Sequence, residues 1–337
     1  MSSHPTMGPY LGVWRSWATD PEVRWAGSSG GVLTALSAWL IDSGRAARST
    51  GARSAANPRR SVPVTITTKR DALAAAGSRY TPVAGLANAD VLRSDTAVTC
   101  KPCEASALST LAPLLSTDGS ETPIILSFFC AGTPSAHATD ALLAELDVSP
   151  VDAVDELWYR GRGWPGRFTA ASRGRTVSAD YDTSWGKTLG PTTQWRCKVC
   201  PDGVGESADV VAADYWRVDS RGYPEFTDGD GDGALIARTP RGLAIIEAAV
   251  DAGVIHVEPV PMATLAAVQP LQDKRRRLLA ARTLGSLLAG RAVPRYRGFG
   301  LISLSVAQPR RALEAARGTF RRVRRSAPRS SAARRPL

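Results

Sequence analysis

The sequence predicts an α/β fold, a mixed sheet with flanking helices that leads into a helical C-terminal segment. Three observations carry this reading. Residues 123–129 are an almost continuous apolar run ending at Cys130, and a small-residue turn then enters a helical pattern through residue 146. Strand, turn and helix in that order is α/β grammar. Residues 62–68 alternate and are β-branched, as in a half-buried strand. Residues 32–41 are largely apolar, follow a Gly/Ser run and stop near Ser43-Gly44, which reads as a mostly buried helix.

The remaining elements follow in order. Residues 11–17 form a short apolar lead, and residues 73–76 a helical turn that ends at Gly77. Residues 103–115 are a helix candidate, residues 154–159 a strand, and residues 168–179 a hairpin. Beyond Cys200 come a strand near 210–213, a loop through Gly233, a strand at 234–237 and a helix at 242–252. Residues 264–290 read as helical with a basic turn at 274–277. The expected organisation is a flexible segment 1–9, an α/β domain 10–260, a helical extension 261–305 and a basic, disordered tail 306–337.

Charge excludes less than it first suggests. The net charge is +11, but residues 310–337 hold ten arginines against the single acid Glu314, so the other 309 residues carry only +2. The basic character belongs to the tail, and no specific nucleic-acid partner is expected for the domain. The first nine residues are small and polar, unlike a secretory signal, and no apolar run reaches the ~18 residues of a membrane span. With five cysteines, an odd number, a cytoplasmic chain with reduced thiols or metal thiolates is expected rather than a disulfide framework.

Those cysteines carry most of the chemistry. Two pairs share one spacing, Cys100-Lys101-Pro102-Cys103 and Cys197-Lys198-Val199-Cys200, and Cys130 stands between them. The spacing admits a zinc site built from both pairs, an iron–sulfur cluster drawing on more scattered thiolates, or redox thiols. Neither pair clearly opens a helix after a strand, which weakens the redox reading. Context favours the cluster: Cys200-Pro201 is a step that often ends a cluster-binding run. Cys130 also ends an apolar strand, where N–H groups of Gly132, Thr133 and Ser135 would point at sulfur.

Other motifs are less specific. The run Gly27-Ser28-Ser29-Gly30-Gly31 ahead of a helix is either a flexible cap or a backbone that approaches a phosphate. Trp164, Trp185 and Trp216 stand in turns where they would wall a planar ring or plug gaps between loops. The alternating Asp/Gly run at 228–233 lacks a twelfth-position Glu and reads as a solvated loop. The three histidines, His4, His137 and His256, form no metal or triad pattern.

At these residues the chain resembles the beta-subunit family of coenzyme F420 hydrogenases and dehydrogenases. The likeness rests on residues 28–34, Gly77-Ser78-Arg79-Tyr80, Lys101-Pro102-Cys103-Glu104 with residues 105–108, and the run 129–135. It continues through Tyr159-Arg160-Gly161 with Gly163-Trp164, Cys197-Lys198-Val199-Cys200-Pro201-Asp202, Ala208-Asp209-Val210 and Ala213-Asp214-Tyr215-Trp216. The resemblance implies iron–sulfur and flavin sites in loops between elements, holding a [4Fe-4S] cluster and FAD, with coenzyme F420 as co-substrate. By carry-over, Cys103, Cys130, Cys197 and Cys200 are the cluster ligands. Ser28, Ser29, Gly30, Gly31, Thr34, Ser78, Arg79, Tyr80 and Trp164 are cofactor-binding, and Lys101 and Asp214 are catalytic. Cys100 stands where glycine is common in the family, so it becomes a neighbour of the ligands. The implied function is a flavoprotein oxidoreductase with a small-molecule redox substrate and a redox protein partner or a second copy of itself. The alternatives are a non-enzymatic electron-transfer subunit and a zinc-stabilised interaction protein.

Overall fold

Eight strands form one mixed sheet, and its central strands are parallel and buried on both faces. The computed structural model describes residues 1–115, 122–218, 224–225 and 228–326. The strands are β1 (Gly12–Ala18), β2 (Arg48–Ser54), β3 (Ser61–Ile66), β4 (Thr96–Cys100), β5 (Ile124–Phe128), β6 (Val210–Asp214), β7 (Gly233–Ala237) and β8 (Ile255–Pro259). Their order is β8-β1-β7-β6-β5-β4-β2-β3. The pairs β2/β4, β4/β5 and β5/β6 are parallel, while β3, β7, β1 and β8 join antiparallel. Successive residues of a strand face opposite sides. Thus Val210 and Ala212 of β6 enter one core with Ala97, Leu126 and Leu235, while Val211 and Ala213 enter the other with Val98, Cys100 and Ile125.

Helices cover both faces, which explains why the central strands read as apolar runs. The helices α2 (Val32–Asp42), through Leu36 and Leu40, and α5 (Pro240–Asp251), through Ile245 and Ile246, close one face. The other is closed by α3 (Pro102–Leu115), through Ala105, Leu108 and Ala112. Preceding them is α1 (Pro21–Ala26), and α4 (Ala136–Glu145) packs Leu142 and Leu143 onto a small antiparallel sheet of Glu156–Trp158, Phe168–Ser172 and Arg175–Ala179. β2 was not legible in the sequence. Its residues are Arg-Ser-Thr-Gly-Ala-Arg-Ser, and it is held by pairing on both sides and by Ser49 Oγ donating to the Ala97 carbonyl at 2.9 Å.

The chain divides into two units, Met1–Lys198 with Asp202–Gln272, and Val199–Pro201 with Asp273 onward. Two expectations about the ends are corrected. Residues 1–9, expected as flexible, hold the strand Ser2–His4 and most of its partner Gly8–Tyr10, with Met7 fully buried and its carbonyl bound by Arg238 at 2.7 Å. Residues 309–326, expected as disordered tail, are helical. The second unit contains most of α6 (Pro270–Leu288), with α7 (Leu301–Val306) and α8 (Pro309–Ser326). Alanine and arginine are good helix formers, and Ala312, Ala316, Thr319 and Val323 recur on one face of α8. A Cβ on Gly285 of α6 would stand 2.2 Å from the Ala316 carbonyl, so glycine lets α8 lie close against α6. Residues 327–337 and part of the expected loop before Gly233 lie outside the described residues.

Candidate redox site

The carboxyl ends of the parallel strands gather the chemistry. β4 ends at Cys100, β5 runs into Cys130, and β6 ends at Asp214. β7 is antiparallel to β6 with Gly233 opposite Asp214, and β1 places Ser16 opposite Gly233, so the turn after β1 reaches the same edge. This edge is where open α/β sheets bind ligands.

Asp214 is the hub of a polar cluster. One carboxylate oxygen accepts from Ser29 Oγ at 2.5 Å and the other from Arg160 Nη1 at 2.8 Å. The Gln269 side chain donates to the Asp214 carbonyl at 2.6 Å. Arg160 is buried, donates from Nε to the Pro165 carbonyl at 2.6 Å, and lies 4.9, 5.2 and 5.1 Å from the rings of Trp164, Tyr181 and Trp216. Burial by itself would lower the guanidinium, but Asp214 and the neighbouring tyrosines carry it above its ordinary value. Burial likewise pushes the Tyr181 phenol well up.

The Ser28–Gly31 turn is fixed by close backbone packing. Gly30 and Gly31 both have φ of +72°, and a Cβ on Gly31 would stand 2.4 Å from the Val23 carbonyl. Ser28 Oγ bonds Ser78 Oγ at 2.7 Å, which joins two sequence blocks fifty residues apart. Thr34 is half-buried in the first turn of α2. Arg79 is committed elsewhere: Nε donates to Ser61 Oγ at 2.8 Å and Nη1 to the Leu157 carbonyl at 2.7 Å, and burial lowers its pKa. Tyr80 packs against Trp185 and edge-on to Tyr159.

Trp164 links this cluster to a cavity. Its ring lies 4.8 Å from that of Trp216, and it lines a cavity of about 510 Å³ with Trp25, Trp158, Arg162, Arg167 and Asp228. Arg162 stacks over Trp158 at 3.8 Å and pairs with Glu156 at 3.1 Å. Of the Asp/Gly run read as solvated, Asp228 and Asp230 are exposed, but Asp232 is buried. It pairs with Arg15 at 2.6 Å and Arg24 at 3.2 Å, which is why it leaves solvent.

The two CxxC pairs are not equivalent. Cys100 is buried in the core under α3, and burial raises its thiol far above the usual range. Cys103 is exposed in the first turn of α3, where surrounding protein and Glu104 also push its thiol up, and Cys197 lies within electrostatic reach. The first pair therefore does open a helix after a strand, contrary to the sequence reading, because β4 ends at Cys100 and α3 begins at Pro102. Raised thiols are nevertheless the opposite of a reactive redox cysteine. Lys101 bonds the Glu104 carboxylate at 2.6 Å and the Val83 carbonyl at 2.9 Å, and among the described residues these partners lie outside the Asp214 cluster.

Cys130 and Cys197 are tied through one turn. The Thr133 N–H donates to Cys197 Sγ at 3.4 Å, and a Cβ on Gly132 would stand 3.1 Å from Cys197 Cβ. Of the other N–H groups expected at sulfur, that of Ser135 instead binds Thr192 Oγ1 at 3.2 Å, because it caps the approach to α4. Gln272, buried, donates to the Cys130 carbonyl at 3.2 Å, and its side-chain oxygen has no partner among the described residues. Cys200 belongs to the Val199–Pro201 segment of the C-terminal unit. There Tyr296 donates to the Val199 carbonyl at 2.6 Å, and burial together with Cys200 pushes its phenol up to about 12. Among the described residues no three Cys, His, Asp or Glu side chains are gathered for a metal ion. The donor chemistry, accessible thiols with an N–H aimed at one sulfur, fits a thiolate-bound cluster better than an oxygen-ligated ion.

Sequence reasoning quoted Arg160 without giving it a role, and it missed Gln269 and Gln272. A signal existed for each: an arginine directly after the aromatic pair Trp158-Tyr159 at a strand end, and two glutamines three apart in an otherwise apolar approach to α6.

Comparisons with known proteins agree with this architecture. A family model for the coenzyme F420 hydrogenase/dehydrogenase beta subunit N-terminus matches residues 13–89, and the model for its C terminus matches residues 94–262. The F420-dependent formate dehydrogenase 1 subunit beta of Methanococcus maripaludis is 23% identical over 202 residues, 59% of this chain and 50% of that protein. The chain thus spans about half the length of that relative. Among solved structures, a chain of the F420-reducing [NiFe] hydrogenase complex from Methanosarcina barkeri aligns with a TM-score of 0.65 at 21% identity, over 87% of this chain and 99% of that one. That likeness concerns the fold. The two family models together occupy most of the first unit, and the chain belongs to the coenzyme F420 hydrogenase/dehydrogenase beta-subunit family.

Proposed function

We propose that this chain is an oxidoreductase subunit that exchanges a hydride with coenzyme F420 and passes the electrons on through FAD and a [4Fe-4S] cluster. The observation that carries the reading is convergence. The Asp214–Arg160–Ser29 cluster, the turns bearing Cys103 and Cys130, and Cys197 beside the latter share one edge of the parallel sheet. A bound flavin would supply the step between two-electron and one-electron transfer.

The residues divide that work. Trp25, Trp158 and Trp164 offer apolar walls for a planar ring, and Arg162 and Arg167 a positive rim for an acidic tail. Ser28, Ser29, Gly30, Gly31 and Thr34 shape the start of α2 for the flavin, Ser78 braces that turn, and Tyr80 extends the site from Ser78 toward Trp185. Asp214 holds Ser29 and Arg160 in position at the sheet edge where the flavin would bind. Lys101, neutralised by Glu104, orders the turn that presents Cys103 rather than touching the ring. Arg79 joins the strand ends behind Tyr80. Cys103, Cys130, Cys197 and Cys200 are the proposed cluster ligands, and Cys100 is buried near Cys103. Both relatives named above come from multisubunit enzymes, which supports a redox protein partner and a second reading as an electron-relay subunit.

Anaerobic purification followed by a visible spectrum and by iron, sulfide and zinc analysis tests the cofactors. The expected result is a brown flavoprotein with about four irons and four sulfides per chain; a colourless zinc protein would sink the proposal. Oxidation of reduced F420 by the isolated chain with a simple acceptor separates the enzyme from a relay that works only within a complex.

A further inference from the structure

One wall of the tryptophan-lined cavity is covered by the chain itself. In the strand Glu156–Trp158, Leu157 is buried in the core, so Glu156 and Trp158, two residues apart, share the opposite face. Arg162 lies across both. Its guanidinium carbon stands 3.8 Å from the centre of the Trp158 ring, and Nη1 donates to Glu156 Oε2 at 3.1 Å. Thr169, which pairs with Trp158 on the neighbouring strand, lines the same cavity, so this face of the sheet opens into it.

The backbone holds Arg162 at that place under strain. Its φ is +56°, a left-handed conformation that disfavours a side chain, and it stands between Gly161 and Gly163, with φ of +100° and +110°. Both glycines fasten the loop to the end of α1. A Cβ on Gly161 would collide with the Ala26 carbonyl, and the Gly163 N–H donates to the Trp25 carbonyl at 3.0 Å. The guanidinium is held more loosely than its backbone. The Arg162 and Glu156 side chains are 40% and 58% exposed, and an ion pair or cation–ring contact at such exposure is weak enough for a ligand to displace. The charged side chains lining the cavity are Arg162, Arg167 and Asp228, and Glu156, paired with Arg162, brings their sum to zero.

Resting on the F420 reading above, we propose that Arg162 is the specificity-determining residue of this cavity and works by exchange. In the free protein it covers the Trp158 face and is neutralised by Glu156. A planar ring entering against Trp158 displaces the guanidinium, which leaves Glu156 for an anionic group on the ligand's tail. A ligand with both parts replaces both contacts. A ring without an acidic tail removes Arg162 from Trp158 and offers it nothing in return. The cavity therefore favours a planar ring carrying an anionic tail over the same ring alone, through a contact that the wrong ligand must break without replacing.

Fluorescence titration of the full-length protein with F420, and with its deazaflavin chromophore lacking the acidic tail, tests this. Arg162→Gln should weaken F420 binding about tenfold and tighten the tail-less ring about threefold, because the Trp158 face is uncovered. Glu156→Gln should tighten F420 about threefold, and that gain should vanish in Arg162→Gln/Glu156→Gln. Arg162→Gly, which suits the left-handed backbone, replaces Arg162→Gln if the latter lowers the thermal midpoint, with the same two signs expected. Unchanged F420 affinity in the Arg162 variants, or a tail-less ring that binds them no more tightly, overturns the proposal. So does a Glu156→Gln gain that persists without Arg162, since Glu156 would then act by repulsion alone. If the unmodified protein binds neither ligand, the F420 reading itself falls and the proposal with it.

Discussion

Arg160 and Asp214 form an ion pair of 2.8 Å in which the guanidinium is 2% exposed and the carboxylate also holds Ser29. A cation this deeply buried depends on its partner, because removing one member leaves the other charge uncompensated. Asp214→Leu should therefore cost about 3–5 kcal/mol of stability in urea denaturation. The double variant Arg160→Met/Asp214→Leu should recover much of that loss; strictly additive losses would show that the two residues do not act as a pair.

The first cysteine pair should behave as two different chemical species. In apo protein, iodoacetamide with peptide mapping should label exposed Cys103 under native conditions and Cys100 only after unfolding. Cys103→Ser should reduce the iron content, and Cys100→Ala should leave it intact. Equal labelling of both thiols would contradict the core placement of Cys100.

Burial also fixes a pH dependence. The Cys100 thiol has a higher pKa folded than unfolded, so on alkalinisation the unfolded chain releases its proton first. Stability of the apo protein should be fully present below about pH 8.5 and fall as pH rises beyond it. Tyr296, raised to about 12, adds a decline of the same sign only above about pH 10. Denaturation midpoints from pH 7 to 10 would measure the slope above about pH 8.5, which Cys100→Ala should reduce, leaving the smaller part due to the raised Cys103 thiol.

Two glycines separate backbone strain from packing. Gly31 and Gly44 have φ of +72° and +71°, but only Gly31 faces an obstruction, the Val23 carbonyl at 2.4 Å from its absent Cβ. Gly44→Ala should cost about 1 kcal/mol, the left-handed penalty alone. Gly31→Ala should exceed 2 kcal/mol by a clear margin and disturb the Ser28–Ser78 bond, which thermal denaturation would register as a larger shift.

The cavity can be probed without touching the polar cluster. Trp158 forms one wall and stacks only on Arg162 among its described ring contacts. Trp158→Ala should weaken F420 binding by about 1–2 kcal/mol, roughly five- to thirtyfold by fluorescence titration, with little change in the iron spectrum. Unchanged affinity would move the ring out of this cavity.

The sequence by itself determined the alternation and apolar runs that make the parallel strands, the helices that follow them, and the identity of the five cysteines. These are local properties: β5 reads as a strand because it is buried on both faces, and α2 as a helix because its apolar residues are continuous. Polar β2 was invisible, since its stability comes from neighbours on either side. The helix at 309–326 was hidden by its charge, since only contact with α6 shows that its alanine face has somewhere to go. Tertiary structure alone decided that Cys100 enters the core while Cys103 faces out, because a strand end and a helix start point neighbouring side chains in opposite directions. It alone brought Ser29, Arg160 and Asp214 together from three distant segments, since long-range strand order, not spacing along the chain, sets which loops share an edge.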